Sequence, residues 1–187
     1  MAPSILPPVL MVPGLGGSGP DHWQSRWQGR LPNARRVEQA DWDKPDPTDW
    51  IARLDRAVAS AEAPPILIAH SMSCGMVACW SAAHASPVHA ALLVAPADIE
   101  SDAHTPPETH VFRPLPMARL PFPAIVVASC DDPYVAFDRA GAMAKAWGAE
   151  LIDIGNAGHI NAAAGYGEWP EGERLLTRLQ AGRIAGC

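Results

Sequence analysis

Short, wholly apolar runs separated by longer amphipathic stretches leave this chain few architectures to fold into. Val9–Val12, Ile66–Ala69, Ala90–Val94 and Ala124–Ala128 contain no polar residue, so neither face of such a strand is suited to water. Strands of that kind belong to parallel sheets covered by helices on both sides. Between them lie helical patterns. Trp23 and Trp27, four apart after Pro20, set the inward face of a helix. Asp46-Pro47-Thr48 predicts a helix start, with Trp50, Leu54 and Val58 on one stripe and an end near Ser60. Residues 34–38 predict a second strand and Glu150–Ile154 a last one. Helices are expected over Met72 to about Ala85, Asp138–Trp147 and Glu168 to about Arg183. The expected fold class is α/β, a three-layer α/β/α sandwich around a mostly parallel sheet, as a single domain over 1–187.

One segment breaks the alternation. Pro96–Pro123 holds seven prolines, which exclude a long helix. A structureless connection of that length is uncommon unless it serves a function. Two readings stand: a lid or pocket wall, and an irregular crossover between parallel strands.

Charge and targeting signals narrow the function classes. A net charge of −6, with pI about 5.6 and no basic run, argues against a nucleic-acid partner, which needs a Lys/Arg-rich face. The stretch Met1–Pro13 lacks a basic start and a small-residue cleavage site, so no signal peptide is expected. No apolar run approaches the ~18 residues of a membrane span. Cys74, Cys79, Cys130 and Cys187 show neither paired nor metal-like spacing, which predicts reduced thiols in a cytoplasmic protein.

The chemistry concentrates where strands are expected to end. Ile66-Leu67-Ile68-Ala69-His70-Ser71-Met72-Ser73-Cys74-Gly75 runs from strand through turn into helix. A serine at such a junction matches the nucleophile elbow, whose tight turn demands small residues two before and two after the serine. Ala69 and Ser73 stand there in place of the usual glycines. Ser71 is the candidate nucleophile because the apolar run ends at Ala69. Ser73, two before Gly75, is the alternative, and a serine that merely caps the helix is the bland reading.

A hydroxyl needs a base, and the base an orienting acid, in the chain order serine, acid, histidine for this architecture. Asp132, fixed in its turn by Pro133, follows the Ala124–Ala128 strand, and His159, set among glycines, follows Glu150–Ile154. Asp131 and Asp98 are the rival acids. Oxyanion donors are expected from the Met72 N–H, next after the serine, and from the Leu15 N–H in the loop Pro13-Gly14-Leu15-Gly16-Gly17-Ser18-Gly19-Pro20. That loop lacks G-K-[ST], and its Gly14, Gly16 and Gly19, although spaced as in G-x-G-x-x-G, do not open a helix, so a phosphate cradle is not expected. Gly14, His22 and Trp23 are expected beside the substrate, although His22 could equally pack against Trp23. His70 should point away from the site. The other histidines lack metal-ligand spacing, and neither a metal nor another cofactor is expected.

Several longer motifs occur in order: Val12-Pro13-Gly14, Ser18-Gly19-Pro20-Asp21-His22-Trp23-Gln24 with Trp27, Asp41-Trp42 with Pro45 and Trp50, His70-Ser71, Leu120-Pro121-Phe122-Pro123, Ser129-Cys130-Asp131-Asp132-Pro133-Tyr134, Gly158-His159-Ile160-Asn161 and Trp169-Pro170-Glu171-Gly172. Together they resemble the small serine hydrolases grouped with retinoblastoma-binding protein nine and its bacterial relatives. The resemblance implies a minimal α/β-hydrolase fold without a large cap domain, and catalytic roles for Ser71, Asp132 and His159. Ala69 and Ser73 depart from the glycines common in that family. The expected activity is hydrolysis of a small ester through an acyl-enzyme. The alternatives are an aminopeptidase or amidase on the same residues, and a non-catalytic binding protein on a hydrolase scaffold, with some of the seven tryptophans on its surface.

Overall fold

Every residue of four strands is buried, because helices cover the sheet on both faces. The structure, a computed structural model, describes residues 6–183. The expectations for the first five residues and for the Cys187 thiol lie outside the described residues. The strands are β1 (Val9–Val12), β2 (Ala34–Arg36), β3 (Ile66–His70), β4 (Ala90–Val94), β5 (Ala124–Ala128) and β6 (Glu150–Asp153). The helices are α1 (Trp23–Arg30), α2 (Pro47–Ala59), α3 (Met72–Ala83), α4 (Phe137–Trp147) and α5 (Pro170–Gln180). The six strands form one sheet in the order β2-β1-β3-β4-β5-β6, and every neighbouring pair is parallel.

Alternate side chains divide the core into two halves. Leu10, Val12, Leu67, Ala69, Ala91, Leu93 and Val126 point toward α2, α3 and α4, where Trp50, Trp80 and Trp147 fill the layer. Val9, Met11, Ile66, Ile68, Leu92 and Val127 point the other way, toward α1 and α5 with Trp23, Trp27 and Trp169. The expected three-layer α/β/α architecture is the observed one, and all strand pairing is parallel. Six of the tryptophans are fully buried and Trp42 is half-buried.

The strand order fixes where a ligand can enter. From β1 the chain crosses to β2 on one side and then to β3 on the other, so the order reverses between β1 and β3. The crevice beyond the carboxyl ends of strands at such a point is where open α/β sheets bind ligands. The loops after β1 and β3 flank it. Register brings Val12 beside Ala69 and His70 beside Val94, so these strand ends lie level.

Several boundaries differ from the sequence expectation, each for a local reason. β3 runs one residue further, through His70. α5 starts at Pro170 because Trp169, its N-cap, is non-helical with φ −158° and ψ 73°. β6 stops at Asp153, just before a left-handed Gly155. The proline-rich connection after β4 carries a short 3-10 helix, Pro107–Phe112. It packs down through Phe112, Leu115, Leu120 and Phe122, all buried on the α2–α3–α4 side. Trp147 Nε1 donates to Pro116 O at 2.9 Å, and Arg139 of α4 pairs with Asp98 at 3.2 Å and Glu100 at 2.6 Å. Among the described residues, no helix is long and apolar enough to cross a membrane.

Two helical glycines separate packing from propensity. A Cβ on Gly172 of α5 would stand 2.3 Å from Trp169 Cε3, whereas one on Gly141 of α4 would meet only Leu151 Cδ2 at 3.7 Å. Glycine to alanine inside a helix normally gains about 1 kcal/mol. Gly141→Ala is therefore expected to stabilise by roughly 0.5–1 kcal/mol, and Gly172→Ala to destabilise by about 1–3 kcal/mol through overpacking. Urea unfolding of both variants checks the opposite signs.

Candidate active site

Ser71 stands between β3 and α3 with φ 59° and ψ −133°. A non-glycine residue there is strained, on the order of 1–3 kcal/mol, and persists only if its neighbours hold it. Ser71 N donates to Val94 O at 3.0 Å, and Cys74 N donates to Ser71 O at 3.0 Å. A Cβ on Gly14 would lie 2.9 Å from Ser71 Cβ and 3.0 Å from His70 O, so only glycine lets the loop after β1 approach the serine. Ser73 is fully buried, and its Oγ donates to Pro13 O at 2.6 Å. This hydroxyl ties the two loops together and faces away from the crevice.

The two loops at the far strands bring an imidazole and a carboxylate to Ser71. His159 Nε2 lies 2.9 Å from Ser71 Oγ, and His159 Nδ1 lies 2.9 Å from both carboxylate oxygens of Asp132. A carboxylate only accepts, so the proton on this imidazole sits at Nδ1 and Nε2 faces the hydroxyl as an acceptor. The Asp132 side chain is wholly shielded from solvent and also accepts the Tyr134 N–H at 2.9 Å. The rival acids are engaged elsewhere. Asp98 pairs with Arg139. Asp131 accepts from Ser129 Oγ and from Gly158 N, each at 2.7 Å, and these donors hold its carboxyl below the usual range. Asp131 thereby links the acid-bearing loop to the base-bearing one.

The remaining expected residues fall into two groups. Leu15 and His22 line a cleft of about 210 Å³ together with Ser71, His70, Tyr134 and His159. Neither the Leu15 nor the Met72 N–H has an acceptor among the described residues. Gly14 packs against Ser71, as its missing Cβ allows. Trp23 is different: it is fully buried, its Nε1 donates to Ile160 O at 2.8 Å, and its ring packs against Trp27 and Trp169. The expectation that it borders the substrate is corrected, because α1 turns this face into the core. The glycine-rich loop is held from behind by Arg36, whose guanidinium donates to Gly17 O, to Ser18 O at 3.3 Å and to Ser25 Oγ at 2.6 Å.

Other contributors had little signal in the sequence. Gln24 is fully buried, accepts from Ser18 Oγ at 2.7 Å and donates to Ile68 O at 2.9 Å, fastening the loop to β3. Tyr134 lays its ring 4.4 Å from that of His159. The spacing Asp132-Pro133-Tyr134, an Asx turn closed by the Tyr134 N–H, could have flagged it. Thr105, Pro106 and Thr109 of the proline-rich connection form the opposite wall of the cleft, which decides in favour of a pocket wall over a bare crossover. Nothing short of the fold itself places them there. Among the described residues, no group of three His, Cys, Asp or Glu side chains is arranged to hold a metal ion.

Two neutral histidines back the site. His70 is pushed well below the ordinary histidine value, first by burial and then by the neighbouring His159 and His22. His22 is lowered from 6.5 to about 4 by burial, with smaller contributions from His159 and Arg36. It caps α1, its Nδ1 accepting the Gln24 N–H at 3.2 Å. Because its folded-state pKa lies below the unfolded one, the unfolded chain takes up the proton first. Its contribution is complete above pH 6.5 and is lost as pH falls toward 4, a change on the order of 3 kcal/mol. His22→Asn keeps a capping acceptor and removes the titration. Its stability is expected to fall less steeply than the parent's between these two pH values in urea titrations. Parallel curves would show that His22 does not titrate in this way.

The chain is similar to known proteins over most of its length. The model of the serine hydrolase family matches residues 9–178. A protein described as a candidate YdeN-like hydrolase, from Pectobacterium atrosepticum, is 33% identical, with 96% of this chain and 93% of that one covered and a TM-score of 0.85. The ydeN gene product of B. subtilis is 20% identical over 94% of this chain and 99% of its own, with a TM-score of 0.77. Esterase 2 of Thermogutta terrifontis is 17% identical over 97% and 86%, with a TM-score of 0.65. At the last two identities the likeness shows the fold alone. No curated protein matches the chain in sequence.

Proposed function

The chain belongs to the serine hydrolase family, and on that premise we propose that it hydrolyses small carboxylic esters with Ser71 as nucleophile, His159 as base and Asp132 as orienting acid. The observation that carries the reading is the unbroken hydrogen-bond chain from hydroxyl to imidazole to carboxylate, 2.9 Å at each link. Ser71 Oγ attacks the ester carbonyl while His159 Nε2 takes its proton. The tetrahedral oxyanion is met by the Leu15 and Met72 N–H groups, which act most strongly where donors are preset and water is excluded. His159 returns the proton to the departing alcohol, and Asp132 stabilises the transient imidazolium without taking a proton itself. Water, deprotonated by His159, then releases the acid and restores Ser71.

The size of the cleft, about 210 Å³, supports a small acyl group. Within the serine hydrolases, the ordered motifs from Val12-Pro13-Gly14 to Trp169-Pro170-Glu171-Gly172 support membership of the retinoblastoma-binding protein nine-like group.

Turnover of p-nitrophenyl acetate and labelling by a fluorophosphonate probe test the proposal. Ser71→Ala and His159→Ala are expected to lower kcat by roughly 10⁴- to 10⁶-fold, and Asp132→Asn by about 10⁴-fold. Ser71→Ala should abolish labelling. Undiminished labelling of Ser71→Ala, with loss only in Ser73→Ala, would move the nucleophile and refute the assignment.

A further inference from the structure

His159 can serve Ser71 only if its backbone keeps the imidazole between hydroxyl and carboxylate, and that backbone is an awkward one. Gly158 and Ile160 on either side have φ 53° and 48°. Glycine tolerates this region, but Ile160 is β-branched, and such a residue at positive φ is an outlier. Conformations of this kind survive only where the surroundings over-determine them.

Two buried donors from distant elements meet two successive carbonyls at this point. His70 Nε2, at the end of β3, lies 2.9 Å from His159 O. A carbonyl only accepts, so His70 Nε2 carries the hydrogen. Trp23 Nε1, in the first turn of α1, donates to Ile160 O at 2.8 Å. Ile160 N closes the turn by donating to Ala157 O at 3.2 Å. The His70 contact has a special geometry. His70 is bonded covalently to Ser71, so the nucleophile-bearing turn grips His159 twice: by the side chain through Ser71 Oγ and by the main chain through His70 Nε2. The imidazole of His70 is packed edge-on to His22 at 4.7 Å and lies 4.8 Å from the His159 ring, which leaves it little freedom to turn.

We infer that His70 and Trp23 are positioning residues for the base, pinning the two carbonyls of the strained His159–Ile160 segment so that Nε2 stays at Ser71. The inference rests on the roles proposed above for Ser71, His159 and Asp132. It gives Trp23 a part in the reaction without contact to substrate, and His70 a part beyond filling the core.

The geometry supplies its own control. Trp27 lies 4.9 Å from Trp23 in the same cluster, but its indole nitrogen has no partner among the described residues. Trp23→Phe and Trp27→Phe each keep an aromatic ring and delete one N–H. His70→Gln keeps a donor at similar reach, and His70→Leu does not. Probe labelling of the parent and of Ser71→Ala comes first, and an unlabelled parent would defeat the underlying reading and this inference with it. With labelling at Ser71 established, kcat and KM for p-nitrophenyl acetate are measured below each variant's melting temperature. Trp23→Phe and His70→Leu are expected to lose about 10- to 100-fold in kcat with KM changed less than about twofold. Trp27→Phe should keep the parent kcat whatever its melting temperature, and His70→Gln should recover most of the loss seen in His70→Leu. The proton NMR signal of His159 Nδ1–H, shared with Asp132, should shift in Trp23→Phe and stay in place in Trp27→Phe. If Trp23→Phe matches Trp27→Phe in kcat and in this signal, the positioning role is wrong and Trp23 only packs. A His70→Gln variant as impaired as His70→Leu would overturn the role of His70.

Discussion

The backbone of Ser71 bends from strand into helix within one residue, and most of the surrounding sequence is arranged to permit that bend. A φ of 59° in a residue with a side chain must be held by its neighbours, and the neighbours are identifiable. Gly14 comes so close that any Cβ would collide with Ser71. Ser73, where a glycine would be the simplest choice, uses its hydroxyl to bond Pro13 O at 2.6 Å. The departure from glycine thus has a compensating contact: the extra atoms fasten the loop after β1 to the start of α3. The loop with Leu15 and the helix start with Met72 are held together by the same bond. The oxyanion donors proposed there, built on such main-chain fastenings, would need no reorganisation during reaction.

Around this turn the protein keeps its other polar groups neutral or saturated. His22 and His70 are buried and hard to protonate. Arg36 is half-buried, and its donors meet loop oxygens and the Gln28 side chain. Burial lowers its pKa, an effect opposed by Glu38. Its positive charge therefore stands behind the glycine-rich loop and disfavours charging of His22 in turn. The cleft itself is walled by a connection that packs as core through Phe112 and Leu115, so access does not require a separate cap.

Much of this was legible in the residues because the informative signals were local. Wholly apolar runs gave β1, β3, β4 and β5 nearly to the residue, and Asp46 before Pro47 gave the start of α2, where the carboxylate accepts Asp49 N at 2.9 Å. The chain order of serine, acid and histidine named three side chains that the fold brings within hydrogen-bond distance. What the sequence concealed was orientation. Trp23 is expected at the substrate, but as the first residue of α1 it turns into the core, while His22, the extended N-cap before it, reaches the cleft. His70 adjoins Ser71 and was expected to point away, yet its ring still borders the cleft and meets His159 O. Thr105 and Thr109 were invisible because no periodic pattern links a proline-rich connection to the strand ends it covers.

A crystal structure of the protein after reaction with a small alkyl phosphonate tests the central claim most directly. The account predicts a covalent bond at Ser71 Oγ, with the phosphonyl oxygen within hydrogen-bond reach of the Leu15 and Met72 N–H groups and His159 still joined to Asp132. A phosphonate attached to another residue, or an oxygen turned away from both amides with Ser71 unmodified, would contradict it.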